Sequence, residues 1–408
     1  MKYVILLGDG MADYPTEMLG GKTPLECAFT PFMDQIAAEG TLGLVDTVPA
    51  GLIPGSDVAT LSVLGYDPRE TYTGRGPLEA ASMGIPLEQN DMVYRCNLVA
   101  IGDKETPGAF MDDFTAGHIS TEESRQIILD INKELGLPPY QFFPGVGYRH
   151  LFVWRNAPGA PETKAPHDIS GKLITDYLPH GDSSEEINSM MQRAGEILAN
   201  HPVNAKRKEA GKKQANSIWL WGQGKKPQLV PLTQKYSITG GMISAVDLLK
   251  GIAIISGLRV FPVEGATGYI DTNYQGKANM ALDVLNFMDF VFVHLEAPDE
   301  MGHEGNAEGK IRAIELFDEK IVGPILNKIG SFGDYRIIVL SDHPTPVDLK
   351  THVSDPSPFA VLSSLEGENK ASGLSFNEIN AKNSSVLISP GHLLMEKFIK
   401  DWRSVAGS

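Results

Sequence analysis

Apolar positions along this chain gather in blocks of two kinds. Three short runs are apolar at nearly every position: "YVILLG" (Tyr3–Gly8), "FVFVHLE" (Phe290–Glu296) and "RIIVLS" (Arg336–Ser341). Runs this short and this unbroken have the pattern of strands buried on both faces. Elsewhere the apolar residues recur at helical spacing. Thr30-Pro31 opens "PFMDQIAAEG", with Pro at the first helical position and Gly40 at the end. Ser120 with Glu123, and Ser183 with Glu186, have capping-box spacing ahead of "SRQIILDINKELG" and "INSMMQRAGEILAN". "MISAVDLLKGIAIISG" (Met242–Gly257) and "GKIRAIELFDEKIVGPILNKIG" (Gly309–Gly330) read as long amphipathic helices. Strands alternating with helices predict an α/β fold with a mainly parallel sheet.

The middle of the chain is richer in loop signals, such as "GLPPYQFFPGVGYRH" and "NAPGAPETKAPHD". We read residues 76–231 as an inserted domain, and 1–75 with 232–408 as the core domain. A length of 408 residues suits two domains better than one. The basic stretch "NAKRKEAGKKQ" (Asn204–Gln214) reads first as a solvated face or linker, with substrate-anion binding as the alternative.

Composition narrows the function classes. Thirty-five basic against 51 acidic side chains give a net charge of −16, which argues against general affinity for nucleic acid or anionic membrane. An anionic substrate stays open, because a few local cations can invert the field at one site. Two cysteines, Cys27 and Cys96, with no CxxC pattern, fit a reducing compartment. The opening "MKYVILLGDGMADYP" reads as a first strand and not as a signal peptide, and no apolar segment is long enough to span a bilayer. A cytoplasmic location is the expectation. "GGKTP" (Gly20–Pro24) has Thr16 where a P-loop needs Gly, and "TGRGPLE" (Thr73–Glu79) lacks the third Gly of a dinucleotide fingerprint.

Each apolar run leads into an acid. The first delivers Asp9, the second Asp299 with His303 four residues on, and the third Asp342 and His343, with His352 further along. In an open parallel sheet, ligands collect beyond the carboxyl ends of the strands, so these groups can converge. Taken singly, Asp9-Gly10 or Asp342-His343-Pro344 reads as a turn. Together they make six carboxylate and imidazole donors, a set suited to two ions such as Mn²⁺, Zn²⁺, Co²⁺ or Fe²⁺. Ser56, in "LIPGSDVATLSVLGYDP", stands at a predicted helix start. It reads either as a cap or as a nucleophile whose hydroxyl a metal activates. His294 and Glu296 read as hydrogen-bonding partners behind the metal donors.

Six motifs occur in order: "GDGMAD", "PGSDVATLSVLGYDP", "YTGRGPLEA", "APDEMGHEG", "SDHPTP" and "KTHVSDPSPF". In these the chain resembles the archaeal-type cofactor-independent phosphoglycerate mutases of the alkaline phosphatase superfamily. The resemblance implies an alkaline-phosphatase-like core, helices on both sheet faces, and an inserted α+β domain that positions substrate. It implies that Ser56 carries the phosphoryl group. Asp9, Ser56, Asp342 and His343 would hold one divalent metal; Asp299, His303 and His352 would hold the second. Mn²⁺ is the expected metal, with Zn²⁺, Co²⁺ or Mg²⁺ as alternatives. The implied reaction interconverts 3- and 2-phosphoglycerate, small phosphorylated substrates of glycolysis. Arg75 and Lys277 are the expected further catalytic residues. His118, Arg149, His150, His167 and Asp168 are the expected substrate contacts in the insert. A homoserine-kinase-like phosphotransferase on the same core is the alternative function.

Overall fold

The three apolar runs form the centre of a sheet. A computed structural model describes residues 1–102 and 108–407. In it the strand Lys2–Gly8 lies between Phe290–Leu295 and Tyr335–Ser341, parallel to both. Successive side chains point to opposite faces. Val4 and Leu6 join a core with Ile36, Ala281 and Ile314, while the Tyr3 ring meets Phe398 at 5.8 Å on the other face. Both faces are therefore covered, which is why the runs do not alternate. Gly240–Ile243 and then Arg259–Val260 extend the sheet in parallel beyond Phe290–Leu295. On the opposite side, Ser357–Ser363 pairs antiparallel with Tyr335–Ser341, Thr41–Val45 pairs antiparallel with Ser357–Ser363, and Leu387–Ile388 runs parallel to Thr41–Val45. The fold class is the expected α/β with a mainly parallel sheet.

Register decides where the chemistry lies. Gly8 pairs with both Leu295 and Ser341, so all three parallel strands end at one level. Asp9, Glu296 and Asp342 follow those ends directly, and Asp299 sits in the first turn of the helix Ala297–Glu304.

The chain divides into two compact units, Met1–Tyr72 with Gln228–Ser408, and Thr73–Pro227. The division falls a few residues ahead of the positions read from loop signals. The reason is local: Thr73 Oγ1 donates to Lys225 O, and a Cβ on Gly74 would overlap the Gln223 backbone. Arg75 therefore belongs to the second unit, contrary to the expectation that placed it in the core. That unit has an antiparallel sheet, with Met92–Gly102 flanked by Arg149–Trp154 and Ser217–Gly224 and continued by Phe110–Asp113, and with Tyr140–Val146 beside Arg149–Trp154. Helices Thr121–Leu135 and Ser184–Ala199 pack on it.

Three local expectations need correcting. Met242–Gly257 is a strand end followed by the helix Asp247–Ile255, because Met242 and Ile243 are taken into the sheet. Gly309–Gly330 is no single helix. Ala307–Phe317 widens into a π turn at Asp318–Val322 before Gly323–Ile329. Pro324 lacks the N–H a continuous helix requires, and the wider turn accommodates it. Ser183 caps nothing through its side chain and lies at φ 60°, while Glu186 accepts from the Tyr140 hydroxyl at 2.6 Å. The Ser120–Glu123 box forms as expected. Within the basic stretch, Arg207 is buried and bonded to Lys213 O, Ala116 O and Glu123. Its guanidinium fastens the insert's own loops.

Candidate metal centre

Ser56 opens the helix Ser56–Val63, and Gly55 is the residue in the cap position. The Ser56 hydroxyl therefore does not cap. It donates to Asp9 Oδ1 at 3.2 Å and lies 3.5 Å from His343 Nε2. The positive end of the helix dipole favours an anion beside it.

Asp9, Asp342 and His343 are fully buried, and Asp299 is nearly so. Burial, then the charges of Asp342, Glu296 and Asp299, pushes the Asp9 carboxyl well above its usual range. His294 orients Asp9. The Ser244 hydroxyl lies 3.1 Å from His294 Nδ1, and His294 Nε2 lies 2.8 Å from Asp9 Oδ2. When Asp9 is ionised, as a metal donor must be, its carboxylate only accepts, so His294 Nε2–H donates to it, which leaves Oδ1 facing Ser56. Asp342 Oδ1 accepts the N–H groups of Gly10 and His343 at 3.0 and 2.9 Å. Its Oδ2 is buried and receives no hydrogen bond from the described residues.

The second group is tied by its imidazoles. His303 Nδ1 lies 3.1 Å from Lys350 O, and His352 Nδ1 lies 3.2 Å from Pro54 O. Carbonyls only accept, so both Nδ1 atoms donate, and in the neutral rings both Nε2 atoms carry lone pairs. These Nε2 atoms face each other at 2.9 Å, and Asp299 oxygens lie 3.2 and 3.4 Å from them. Such a set repels itself unless a cation, either a proton or a metal, sits among its members. In the metal-free protein the hydrogen bond to Asp299 raises His303 to about 9. Burial opposes the ionisation of Asp299, yet the bonds from His303 and His352 hold its carboxyl well below the usual range.

Metal-competent donors gather as Asp9–Asp342–His343 and as Asp299–His343–His352, each group within 4.8 Å. His343 thus belongs to both groups, where the sequence reading gave it to one. A third group, Asp9–His294–Glu296, shares Asp9 with the first. Oxygen-rich acids with neutral imidazoles suit a borderline divalent ion. The orphaned Asp342 Oδ2 and the facing lone pairs fit one better than they fit a dry core.

Comparison with known proteins adds the relationship. A family model described as 2,3-bisphosphoglycerate-independent phosphoglycerate mutase matches residues 37–204. A protein of Geobacter sulfurreducens named probable 2,3-bisphosphoglycerate-independent phosphoglycerate mutase is 51% identical over 98% of this chain and 100% of its own length. The enzyme of that name from Methanosarcina barkeri is 50% identical over 95% of this chain and 96% of its own. This chain belongs to the 2,3-bisphosphoglycerate-independent phosphoglycerate mutase family. Among solved structures, the PH0037 protein of Pyrococcus horikoshii is similar at TM-score 0.80 and 28% identity, over 99% of this chain and 97% of that one. The cofactor-independent phosphoglycerate mutase of Thermoplasma acidophilum follows at TM-score 0.66 and 25% identity, over 98% and 99%.

The other expected residues of this family member divide by environment. Lys277 is fully buried; its Nζ donates to His294 O at 2.8 Å, and burial lowers it to about 8. It thereby braces the strand that carries His294, beside the donor group Asp9–His294–Glu296. His150, an expected substrate contact, is also buried. Its Nδ1 accepts from Gly145 N–H at 2.9 Å, and burial pushes it down to about 3. Alternation along Arg149–Trp154 explains this, since Arg149 points outward and His150 inward. His118 and Asp168 are exposed, and His167 is open to solvent on one side while its ring meets Trp221 at 5.3 Å on the other. Arg95, which the sequence reading missed, stacks over the Trp221 ring at 4.3 Å and pairs with Glu79 at 3.0 Å. Burial lowers Arg95, and the like charges of Arg75 and Arg149 lower it further; His167 is lowered by burial and also feels Arg95 and Arg75. The only sequence signal for Arg95 is an arginine inside the apolar run "MVYRCNLVAIG".

Proposed function

We propose that this protein interconverts 3-phosphoglycerate and 2-phosphoglycerate without 2,3-bisphosphoglycerate, through a phosphoserine at Ser56. The observation that carries this reading is the Ser56 hydroxyl at a helix start, within reach of Asp9 and His343. The names of the relatives supply the reaction class. Asp9, Ser56, Asp342 and His343 would hold one divalent ion and Asp299, His303 and His352 the other. Mn²⁺ is the first choice, and Zn²⁺, Co²⁺ and Mg²⁺ are alternatives. When bound, the ions supply neutralising charge and lower the pKa of a hydroxyl or water.

The residues account for the rest. His294 fixes Asp9 so that Oδ1 accepts the Ser56 O–H. The Ser56 Oγ–P bond forms as the bond from phosphorus to the 3-oxygen breaks, and the proton lost by Ser56 is matched by the one the freed 3-oxygen takes up. In the return step the Oγ–P bond breaks as the 2-oxygen–P bond forms, and the 2-hydroxyl proton is matched by the one Ser56 regains. The helix N-terminus stabilises the phosphoryl oxygens. In the second unit, Arg75, Arg95 and Arg149 make a cationic cluster suited to an anionic substrate, with His118, His167 and Asp168 as further polar contacts. An enolase-coupled assay tests the reading. Turnover of 3-phosphoglycerate that EDTA stops and Mn²⁺ restores supports it. Inactive, folded, Mn²⁺-loaded protein overturns it, most directly if homoserine with ATP is phosphorylated instead.

A further inference from the structure

The "SDHPTP" motif holds one more residue at the junction of the two donor groups. Thr345 is fully buried, and its Oγ1 lies 2.5 Å from Asp299 Oδ1 and 3.3 Å from His343 Nδ1. The carboxylate can only accept, so the hydroxyl proton goes to Asp299. The Thr345 oxygen is then the acceptor, and His343 must present Nδ1–H to it. That choice leaves the His343 Nε2 lone pair facing Ser56, Asp9 and Asp342, at 3.4–3.5 Å. One hydroxyl therefore sets the tautomer of a donor in one group and the orientation of the carboxylate in the other.

The surroundings hold Thr345 in that place. Its N–H donates to Ala12 O at 3.1 Å, and its carbonyl accepts from buried Lys310 Nζ at 2.9 Å. Gly10, at φ 57°, leaves the space that Thr345 Oγ1 and Asp299 Oδ1 fill, and a Cβ there would overlap both. A Cβ on Gly302 would overlap the Thr345 carbonyl and side chain. Two glycines on separate segments thus make room for this one side chain.

We infer that Thr345 is a positioning residue that couples the two donor groups, fixing His343 as its Nδ1–H tautomer and Asp299 in its metal-binding orientation. The inference rests on the metal reading proposed above. Outer partners of metal ligands typically govern affinity in this way.

The test uses the full chain stripped of metal, with Mn²⁺ alone as probe, followed by titration calorimetry and by ¹⁵N spectra of the histidine rings. T345V keeps the shape and removes both hydrogen bonds, and T345S restores the hydroxyl. T345V is expected to bind Mn²⁺ about 10–100-fold more weakly than wild type, with T345S recovering most of the loss. Mn²⁺ binding by T345V equal to wild type overturns the inference, as does a T345S variant as weak as T345V. If wild type itself takes up no Mn²⁺, the metal reading fails and the ring spectra of the metal-free proteins decide about Thr345. A His343 Nδ1–H signal present in wild type and T345S but lost in T345V upholds its role, and the same tautomer in all three overturns it.

Discussion

Replacing Lys310 with Met tests how the segments around the site are held together. Lys310 is fully buried, and its Nζ lies 2.7 Å from Asp13 Oδ2, 3.1 Å from Ala12 O and 2.9 Å from Thr345 O. It thereby joins the segment that follows Asp9 to the one that follows His343. Methionine fills the same volume but strands the buried Asp13 carboxylate, which would keep only backbone donors from Tyr14 and Val347. Removing one partner of a buried ion pair costs roughly 3–5 kcal/mol. At about 2–4 °C per kcal/mol for a unit of this size, Lys310→Met should lower the melting temperature by roughly 6–20 °C. The melt is followed in EDTA, so that metal binding does not enter. The double variant Asp13→Asn with Lys310→Met removes the stranded charge as well and should recover most of the loss. A Lys310→Met melt within about 2 °C of wild type would refute the reasoning. So would a double variant no more stable than the single one.

Three further outcomes follow from the geometry. Ser56→Ala should bind Mn²⁺ and lose turnover by at least about 10⁴-fold; wild-type turnover would remove the covalent route. His352→Ala should weaken Mn²⁺ binding by calorimetry and lower activity while the metal-free melt is preserved; unchanged binding would take His352 out of the donor set. The half-buried Glu378 accepts the Asp13 N–H and the Thr23 hydroxyl, and desolvation of its carboxyl raises it from 4.5 to about 7. Its stabilising contribution is fully present below pH 4.5 and is lost as pH rises to about 7, on the order of 3 kcal/mol in all. Denaturant unfolding of Glu378→Gln should gain on wild type across that window and level off above it, and a pH-independent difference would contradict the assignment.

The acids of the site were legible because apolar runs betray doubly buried strands, and their ends sit at one level in a parallel sheet. Asp9, Asp299 and Asp342 needed no more than that. What stayed hidden depends on side-chain direction and on partners distant in sequence. His150 and Arg149 are adjacent in sequence but face opposite ways, and motif matching does not resolve which one is buried. Lys310 looks like a surface lysine on an amphipathic helix, yet it ends on backbone carbonyls of segments far from it in sequence. The π turn at Asp318–Val322 keeps helical spacing on either side, so periodicity passes over it. Asp318 shows its purpose only in three dimensions, by accepting the N–H groups of Phe32 and Met33.

The covalent step is the centre of the account. The direct measurement is to incubate Mn²⁺-loaded protein with 3-phosphoglycerate, quench it with acid during turnover, and locate any phosphoryl group by peptide mass spectrometry. A phosphoserine at Ser56 is the expected result, absent from Ser56→Ala and from protein treated with EDTA. Product formed by protein that carries no phosphoryl group, or carries it on another residue, would contradict it.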